Sequence, residues 1–568
     1  MTLHRLWQLL KRGSLIVVAL ALLAGCTPPA TPVPPVEPTE LLAEPTQPPG
    51  DDGYVCSPLA PDFKSSAAVA AGHYILNQVI ITGPAGRVEK ITSQMNLSGA
   101  GLTPIQTCTL GHLTREEANF KPWSEHSNSR DAGERVAIPP DLRAELITGL
   151  YSLPPESSVE EVVTAINELG REEWVFADPN YLTGPLEANP VSPCAIEDDP
   201  FEVGGSPFEV GGSPFEVGGS STGGLPAPAD ASAFWTQWAF EQIGLGADGR
   251  GRGRLSGEGV TVAVFDTSPF QPGAAVGTLP EPINLTLAFP PLANDLPPAP
   301  VPAASGGITN PVNVADHGLF VAGLVYAVAP RSQIHLVRVL NEYGCGDLWT
   351  LTNAINQWTA QQSSESKEQR LDKTVLNLSL GVHQPRDFAK ANWPPEIVSL
   401  DQALFNATSR GAVIVAASGN DSYDSAAPRP MQLPADWPTV IGVAASNREA
   451  RFACYSNQGD LLAPGADGGP WKDHACQPIA HTCAPDDAGC PFGVVSLATQ
   501  PEPGYRFWVG TSFAAPLVSG QAALLLEGNL AAAQTPGCIL NTAVNSGGQR
   551  IVNVAASVTS LGVDPWCQ

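Results

Sequence analysis

From about residue 233 to 556, short, mostly uncharged runs rich in Val and Ile alternate with longer helix-like segments. GVTVAVFDT (259–267), QIHLVRVL (333–340), TVLNLSLG (374–381), GAVIVAASGN (411–420) and TVIGVAASN (439–447) are of the first kind. Their continuous apolar character suits strands covered on both faces. LWTLTNAINQWTAQQ (348–362) and PEIVSLDQALFNATSRG (395–411) read as helices between them. Such alternation predicts an α/β fold, a mostly parallel sheet flanked by helices, with active residues at the carboxyl ends of its strands.

Residues 70–184 have a different rhythm, that of a small α+β unit. HYILNQVIITG (73–83) and LTPIQTCTL (102–110) read as strands, with GRVEKITSQMNL (86–97) a helix between them. SVEEVVTAINELG (158–170) is a clear helix: Ser158 and Glu161 form a capping box, Val162, Ile166 and Leu169 share a face, and Gly170 stops it. EEWVFADPNYL (172–182) follows as a strand. One further strand in the intervening polar stretch would complete the β-α-β-β-α-β order of a ferredoxin-like unit. Between the two regions, 185–232 carries PFEVGGS three times, at 200–206, 207–213 and 214–220. Two glycines in every seven residues deny it a packed structure, so it reads as a flexible, exposed linker.

At the N-terminus, MTLHRLWQLLKRG bears Arg5, Lys11 and Arg12 ahead of the apolar SLIVVALALLA. That is the layout of a secretory signal, too short to span a membrane permanently. It ends in Leu23-Ala24-Gly25-Cys26, which resembles the lipobox of bacterial lipoproteins. The resemblance implies a signal peptide over 1–25, lipidation of Cys26, and localisation in the bacterial cell envelope, on the outer face of a membrane. The Pro-rich residues 27–50 suit a tether within a 26–69 lead-in.

Composition narrows the function. The net charge of −27, from 29 Lys+Arg against 56 Asp+Glu, opposes nucleic-acid binding, which needs basic patches. Setting Cys26 aside, ten of the 11 cysteines remain, an even number that reads as disulfides in an exported chain. Spacing does not fix their pairing, though Cys56 with Cys108 and Cys538 with Cys567 each stay within one region. His474 before Cys476 and His481 before Cys483 do not have a usual zinc spacing, and no metal site is expected.

Three residues at element boundaries carry the candidate chemistry. Asp266 ends the run GVTVAVF, His317 stands where a loop meets a small-residue helix, and Ser512 opens the apolar run FAAPLVSGQAALLLE. Singly, each has an ordinary structural explanation: turn former, helix-start histidine, helix cap. Together, their chain order Asp, His, Ser is that of one class of serine peptidase.

The region from 233 to 556 resembles the catalytic domain of the subtilisin-like serine proteases, the subtilase family. VAVFDT, DHGLFVAG and GTSFAAPLVSG are similar to its aspartate, histidine and serine motifs. NLSLG (377–381) resembles its cleft-lining segment, and VIVAASGN the strand ending in its oxyanion asparagine. The resemblance implies a serine endopeptidase acting on proteins or peptides. His317 would be the general base toward Ser512, Asp266 would orient the imidazole, and Asn420 would donate to the oxyanion. Ser379, Leu380 and Gly381 would pair with substrate backbone. Residues 70–184 then resemble the inhibitory propeptide of many subtilases, an intramolecular partner of the 233–568 catalytic domain. No cofactor is required; calcium is common in the family, yet no loop here has recognisable ligand spacing.

The pattern is broken in three places. Thr267-Ser268-Pro269 follows Asp266 where a glycine is usual, Phe320 replaces the family's second histidine, and 268–312 is a Pro/Ala-rich insertion able to reshape the cleft. The alternative reading is a surface lipoprotein that keeps the fold only for binding or scaffolding.

Overall fold

In a computed structural model of the protein, the described residues are 54–60, 69–70, 74–110, 146–184, 227–365, 370–382, 397–466, 471–472, 475–476 and 493–568. Within those ranges 230, 274, 295, 297–300, 303–307, 310–312, 423–426 and 501 are not described. The signal segment, Cys26, most of the tether, the three PFEVGGS repeats, His474 and His481 lie outside the described residues.

The N-terminal unit runs β1 (Tyr74–Pro84), α1 (Ala85–Leu97), β2 (Thr103–Thr109), β3 (Leu146–Ser152), α2 (Val159–Gly170) and β4 (Phe176–Gly184). The additional strand expected in the polar stretch is β3, and the antiparallel sheet has the order β2-β3-β1-β4. Ser158 caps α2 by accepting the Glu161 N–H at 3.2 Å. Leu169, however, is 42% exposed rather than on the buried face. The inward stripe is Val159, Val162, Val163, Ile166 and Gly170, so the step of four from Ile166 leads to Gly170 and carries Leu169 outward. Residues 54–60, read as lead-in, belong structurally with this unit. The short strand Val55–Cys56 pairs with β2, and Cys56 is disulfide-bonded to Cys108.

The five Val/Ile-rich runs all become strands of one parallel sheet. In chain order the elements are β5 (Thr261–Asp266), β6 (Leu285–Ala288), α3 (His317–Val328), β7 (Gln333–Arg338), β8 (Gly346–Asp347) and α4 (Leu348–Glu365). Then come β9 (Thr374–Leu378), β10 (Gly381–Val382), α5 (Val398–Ser409), β11 (Val413–Ala417), β12 (Val440–Ser446) and β13 (Leu461–Pro464). The chain continues through β14 (Val494–Ala498), β15 (Gly504–Trp508), α6 (Thr511–Glu527) and β16 (Gln549–Ile551). The main sheet is ordered β16-β13-β12-β11-β9-β5-β7-β6, with Val544–Ser546 antiparallel at the β16 edge. The insertion after Asp266 therefore supplies an edge strand, β6, to the sheet.

Alternation along β5 explains why such strands must be apolar throughout. Val262 and Val264 join one core with α3 and α6, whereas Ala263 and Phe265 join the other with α4 and α5. α6 is buried along nearly its whole length, which accounts for its lack of a polar face. The second core continues without a break into the N-terminal unit, where Val79, Ile81, Val163 and Tyr181 belong to the same cluster as Trp349 and Ile355. At the C-terminus, Cys538 is disulfide-bonded to Cys567. Residues Ala227–Ala229, read as the end of the linker, form a strand paired with β15.

Candidate active site

Asp266 is the last residue of β5 and His317 the first of α3. Asp266 Oδ1 lies 2.7 Å from His317 Nδ1, and both side chains are buried. Thr267 braces this pair: its hydroxyl lies 3.2 and 2.9 Å from the Val314 and Ala315 carbonyls and accepts the Gly318 N–H at 3.0 Å. A Cβ at position 318 would stand 2.3 Å from the Thr267 carbonyl oxygen, so this close approach requires glycine. Asp316 fixes the other side, accepting the Thr499 hydroxyl (2.7 Å) and the Thr499 and Gln500 N–H groups (2.9 Å each). Burial pushes its carboxyl up, while those hydrogen bonds oppose the shift.

Aromatic rings wall the imidazole. Trp508 stands perpendicular to it with centroids 5.4 Å apart, and Phe513 lies at 5.1 Å. Phe320 packs against both, at 5.6 and 4.6 Å. The departure at Phe320 is thus part of an apolar wall behind His317.

Ser512 sits in the first turn of α6, and the cap position belongs to Gly510, which makes no side-chain cap bond. Ser512 is therefore not a capping serine. Its Oγ donates to the Ser379 carbonyl at 3.2 Å, and Ser379 Oγ donates back to the Ser512 carbonyl at 2.7 Å. Ser379 is itself held by Asn377 Nδ2 (2.8 Å), whose Oδ1 accepts the Ser519 hydroxyl (2.8 Å). The structure brings Ser512 to the same aromatic pocket as His317 through its neighbour Phe513, but the hydroxyl's hydrogen bond goes to Ser379.

Asn420 follows β11. Its Oδ1 accepts the Thr511 N–H at 2.9 Å, which orients the amide and leaves Nδ2 as a donor beside the start of α6. Gly419 N–H donates to Thr511 Oγ1 at 3.2 Å, tying the two loops together. Ser379 and Leu380 are fully buried, and β10 begins at Gly381.

The cleft beside these residues holds the end of the N-terminal unit. β4 runs antiparallel to β10, pairing Gly184 with Gly381 and Thr183 with Val382. On its other edge Thr183 pairs with Gly346 and Leu182 with Asp347 of β8. Buried polar contacts lock the arrangement. Asn180 Oδ1 accepts the Trp349 N–H at the start of α4 (2.9 Å), and Asp178 Oδ2 accepts the Ser399 N–H at the start of α5 (3.0 Å).

Among the described residues, no group of three or more His, Cys, Asp or Glu is arranged to hold a metal ion. Sequence reading gave no role to Asn377, Thr511 and Ser519, polar residues that look incidental within apolar segments, and took Thr267 only as part of the departure after Asp266. Pro516, inside α6, was the available signal, because a helix proline leaves a carbonyl in need of another donor.

The model of the subtilase family, Peptidase S8, matches residues 257–556. Subtilisin DY of Bacillus licheniformis is 29% identical over 260 residues, covering 42% of this chain and 77% of that protein. An alkaline protease of Alkalihalobacillus alcalophilus is 28% identical over 287 residues, 48% of this chain but only 56% of that protein, so the match spans about half its length. A solved protease structure from Pseudoalteromonas arctica aligns at 27% identity with a TM-score of 0.42, covering 59% of this chain and 99% of that one.

Proposed function

The chain belongs to the subtilase family of serine peptidases, and we propose that it is an exported endopeptidase made as a self-inhibited precursor. In this reading Ser512 attacks the scissile carbonyl while His317 Nε2 takes its proton, giving a tetrahedral intermediate. His317 hands that proton to the amine as the C–N bond breaks, leaving the acyl ester. Water, deprotonated by the same imidazole, then attacks the ester, and the Ser512 oxygen leaves with the proton returned from His317. Asp266 keeps Nδ1 protonated and stabilises the imidazolium. The Asn420 Nδ2 amide and the Ser512 N–H stabilise the oxyanion at a helix N-terminus, where free amides and the dipole both favour negative charge. The observation that carries the reading is the buried Asp266–His317 contact of 2.7 Å in the same aromatic pocket as the first turn of α6.

Self-inhibition is supported by β4, which occupies the edge that an extended substrate would use. Val382 gives its N–H to Leu433 rather than to β4, so Gly381 and Gly184 are the pair that exchange hydrogen bonds. Gly381 lies two residues beyond Ser379, whose carbonyl holds the Ser512 hydroxyl. A maturation cut at Leu186–Glu187, the same two residues beyond Gly184, is part of this proposal. The signal layout and Cys26 support a lipid anchor at the envelope, with residues 185–232 as the joint.

Labelling with a fluorophosphonate tests this, wild type beside Ser512→Ala, on full-length chain exported from a bacterial host. Label on Ser512 and a new N-terminus at Glu187, both absent from the variant, are expected. No label, even after the N-terminal unit is removed by limited proteolysis, would favour a binding or scaffolding lipoprotein.

A further inference from the structure

The insertion between the aspartate and histidine segments does more than add an edge strand. Leu182 of β4 is fully buried, and it is buried outside both main cores. Its small apolar cluster contains Ile75 of the N-terminal unit, Leu296 of the insertion, Cys345, and the partly buried Tyr343. Of these, Ile75 belongs to the same unit as Leu182 itself. Leu296, Tyr343 and Cys345 belong to the peptidase and form the receiving wall.

That wall is built through one side chain. Asn341 Nδ2 donates to the Leu296 carbonyl at 2.8 Å, while its Oδ1 accepts the N–H groups of Tyr343 (3.0 Å) and Cys345 (2.9 Å). The Asn341 N–H also donates to the Cys345 carbonyl at 2.8 Å. A single buried amide therefore fixes the insertion to the loop leading into β8, so the pocket is set by hydrogen bonds within the peptidase. Cys345 is disulfide-bonded, which restrains the same loop further.

Strand geometry gives the pocket a place in the reaction. The Ser512 hydroxyl rests on the Ser379 carbonyl at 3.2 Å. In the peptidase reading above, the scissile bond is Leu186–Glu187, two residues beyond Gly184, which pairs with Gly381 at the end of β4. Counting back along the strand, Leu182 is the fifth residue before the bond. Successive side chains of an extended strand point to opposite sides, so Leu182 and Thr183 face different surroundings. Thr183 sits over Gly346, where an added Cβ would stand 2.8 Å from its hydroxyl, whereas Leu182 enters the wall made with Leu296.

We propose that Leu296, Tyr343 and Cys345 form an additional substrate subsite, supplied in part by the insertion, that accepts an aliphatic side chain at the fifth residue before the scissile bond. Leu182 is its intramolecular occupant in the precursor. The proposal rests on the peptidase reading above and on β4 lying along the substrate path.

The test uses processed enzyme freed of its N-terminal unit and peptides that differ only at the fifth residue, Leu or Asp. Wild type should cleave the Leu peptide with at least about tenfold higher kcat/KM, the scale on which an apolar pocket discriminates side chains. Leu296→Asp should bring the Leu/Asp ratio near one, and Leu296→Met should preserve it. Because the readout is a ratio within one preparation, it does not depend on the fraction folded, which fluorophosphonate titration measures separately. A wild-type ratio within about twofold of one, below the discrimination expected of such a pocket, would overturn the subsite, as would a large ratio that Leu296→Asp leaves intact. No cleavage of any peptide together with no label on Ser512 would overturn the peptidase reading itself, and the subsite with it.

Discussion

Pro516 has no N–H to give to the carbonyl four residues earlier, and in α6 that carbonyl belongs to Ser512. Ser379 Oγ fills the gap at 2.7 Å, so the proline that weakens the helix ladder also fixes the candidate nucleophile to the cleft strand. The Asn377 and Ser519 bonds behind Ser379 are all buried, where a lost partner leaves a polar atom without water to replace it. Ser379→Ala should therefore lower kcat/KM about tenfold and stability by about 1–3 kcal/mol, read by active-site-titrated kinetics and thermal melts. An unchanged rate with lowered stability would make the pair purely structural. Asp266, His317, Asn420 and Ser512 could be singled out as candidates in the sequence because each stands at or near an element boundary in a spaced motif. Their supports could not. Asn377 and Ser519 sit within apolar runs, and nothing in local periodicity says that two such residues meet across the fold.

At the scale of elements, α4 and α5 begin beneath the N-terminal unit, and each start is satisfied by a β4 side chain, Asn180 and Asp178 respectively. A carboxylate at a helix N-terminus is favourable, but burial dominates and pushes the Asp178 carboxyl up to about 6. In the released unit the group returns to the ordinary value of about 3.9. The docked form thus holds its proton more tightly, so docking carries no ionisation penalty below about pH 4 and the whole penalty above about pH 6. After the linker is cut, affinity between the two parts should fall about 10- to 100-fold as pH rises through that window. Asp178→Asn keeps an acceptor for the Ser399 N–H and cannot ionise. It should flatten the dependence and leave docking tight at neutral pH, as measured by recovery of peptidase activity on dilution. If the variant keeps the wild-type slope, another group is responsible. The elements themselves were largely readable: α4 and α5 were expected at 348–362 and 395–411 and occur at Leu348–Glu365 and Val398–Ser409. What pattern reading could not supply was the pairing of β4 with β8 and β10, short strands with no periodicity of their own.

For the molecule as a whole, the consequential feature is that one of its two cores does not stop at the peptidase. Ile80, Val163 and Tyr181 of the N-terminal unit share a cluster with Trp349, Leu351 and Ile355 of α4. Trp349 is 1% exposed and also donates from Nε1 to Gln106 Oε1 at 3.2 Å. Periodicity and composition by themselves separate the two regions at the linker, and only the resemblance to an inhibitory propeptide implied that they meet. The interface was hidden because its polar members, Gln78, Asp178, Asn180 and Asn294, look like surface residues until they are buried against each other. A shared core couples the two parts thermodynamically, because whatever binds only the folded peptidase adds to its stability. The uncut Ser512→Ala precursor should therefore melt in one calorimetric transition rather than two. Peptidase freed of residues 54–184 should melt roughly 5–10 °C lower, the size of shift that losing a few kcal/mol of docking gives a domain of this class. Two well-separated transitions in the precursor would mean that the parts fold independently and that the cluster adds little. A single transition at the same temperature with and without the N-terminal unit would mean that docking inhibits without stabilising. Only the combination of one transition and a lowered melting point fits a peptidase domain that shares a core with its N-terminal unit.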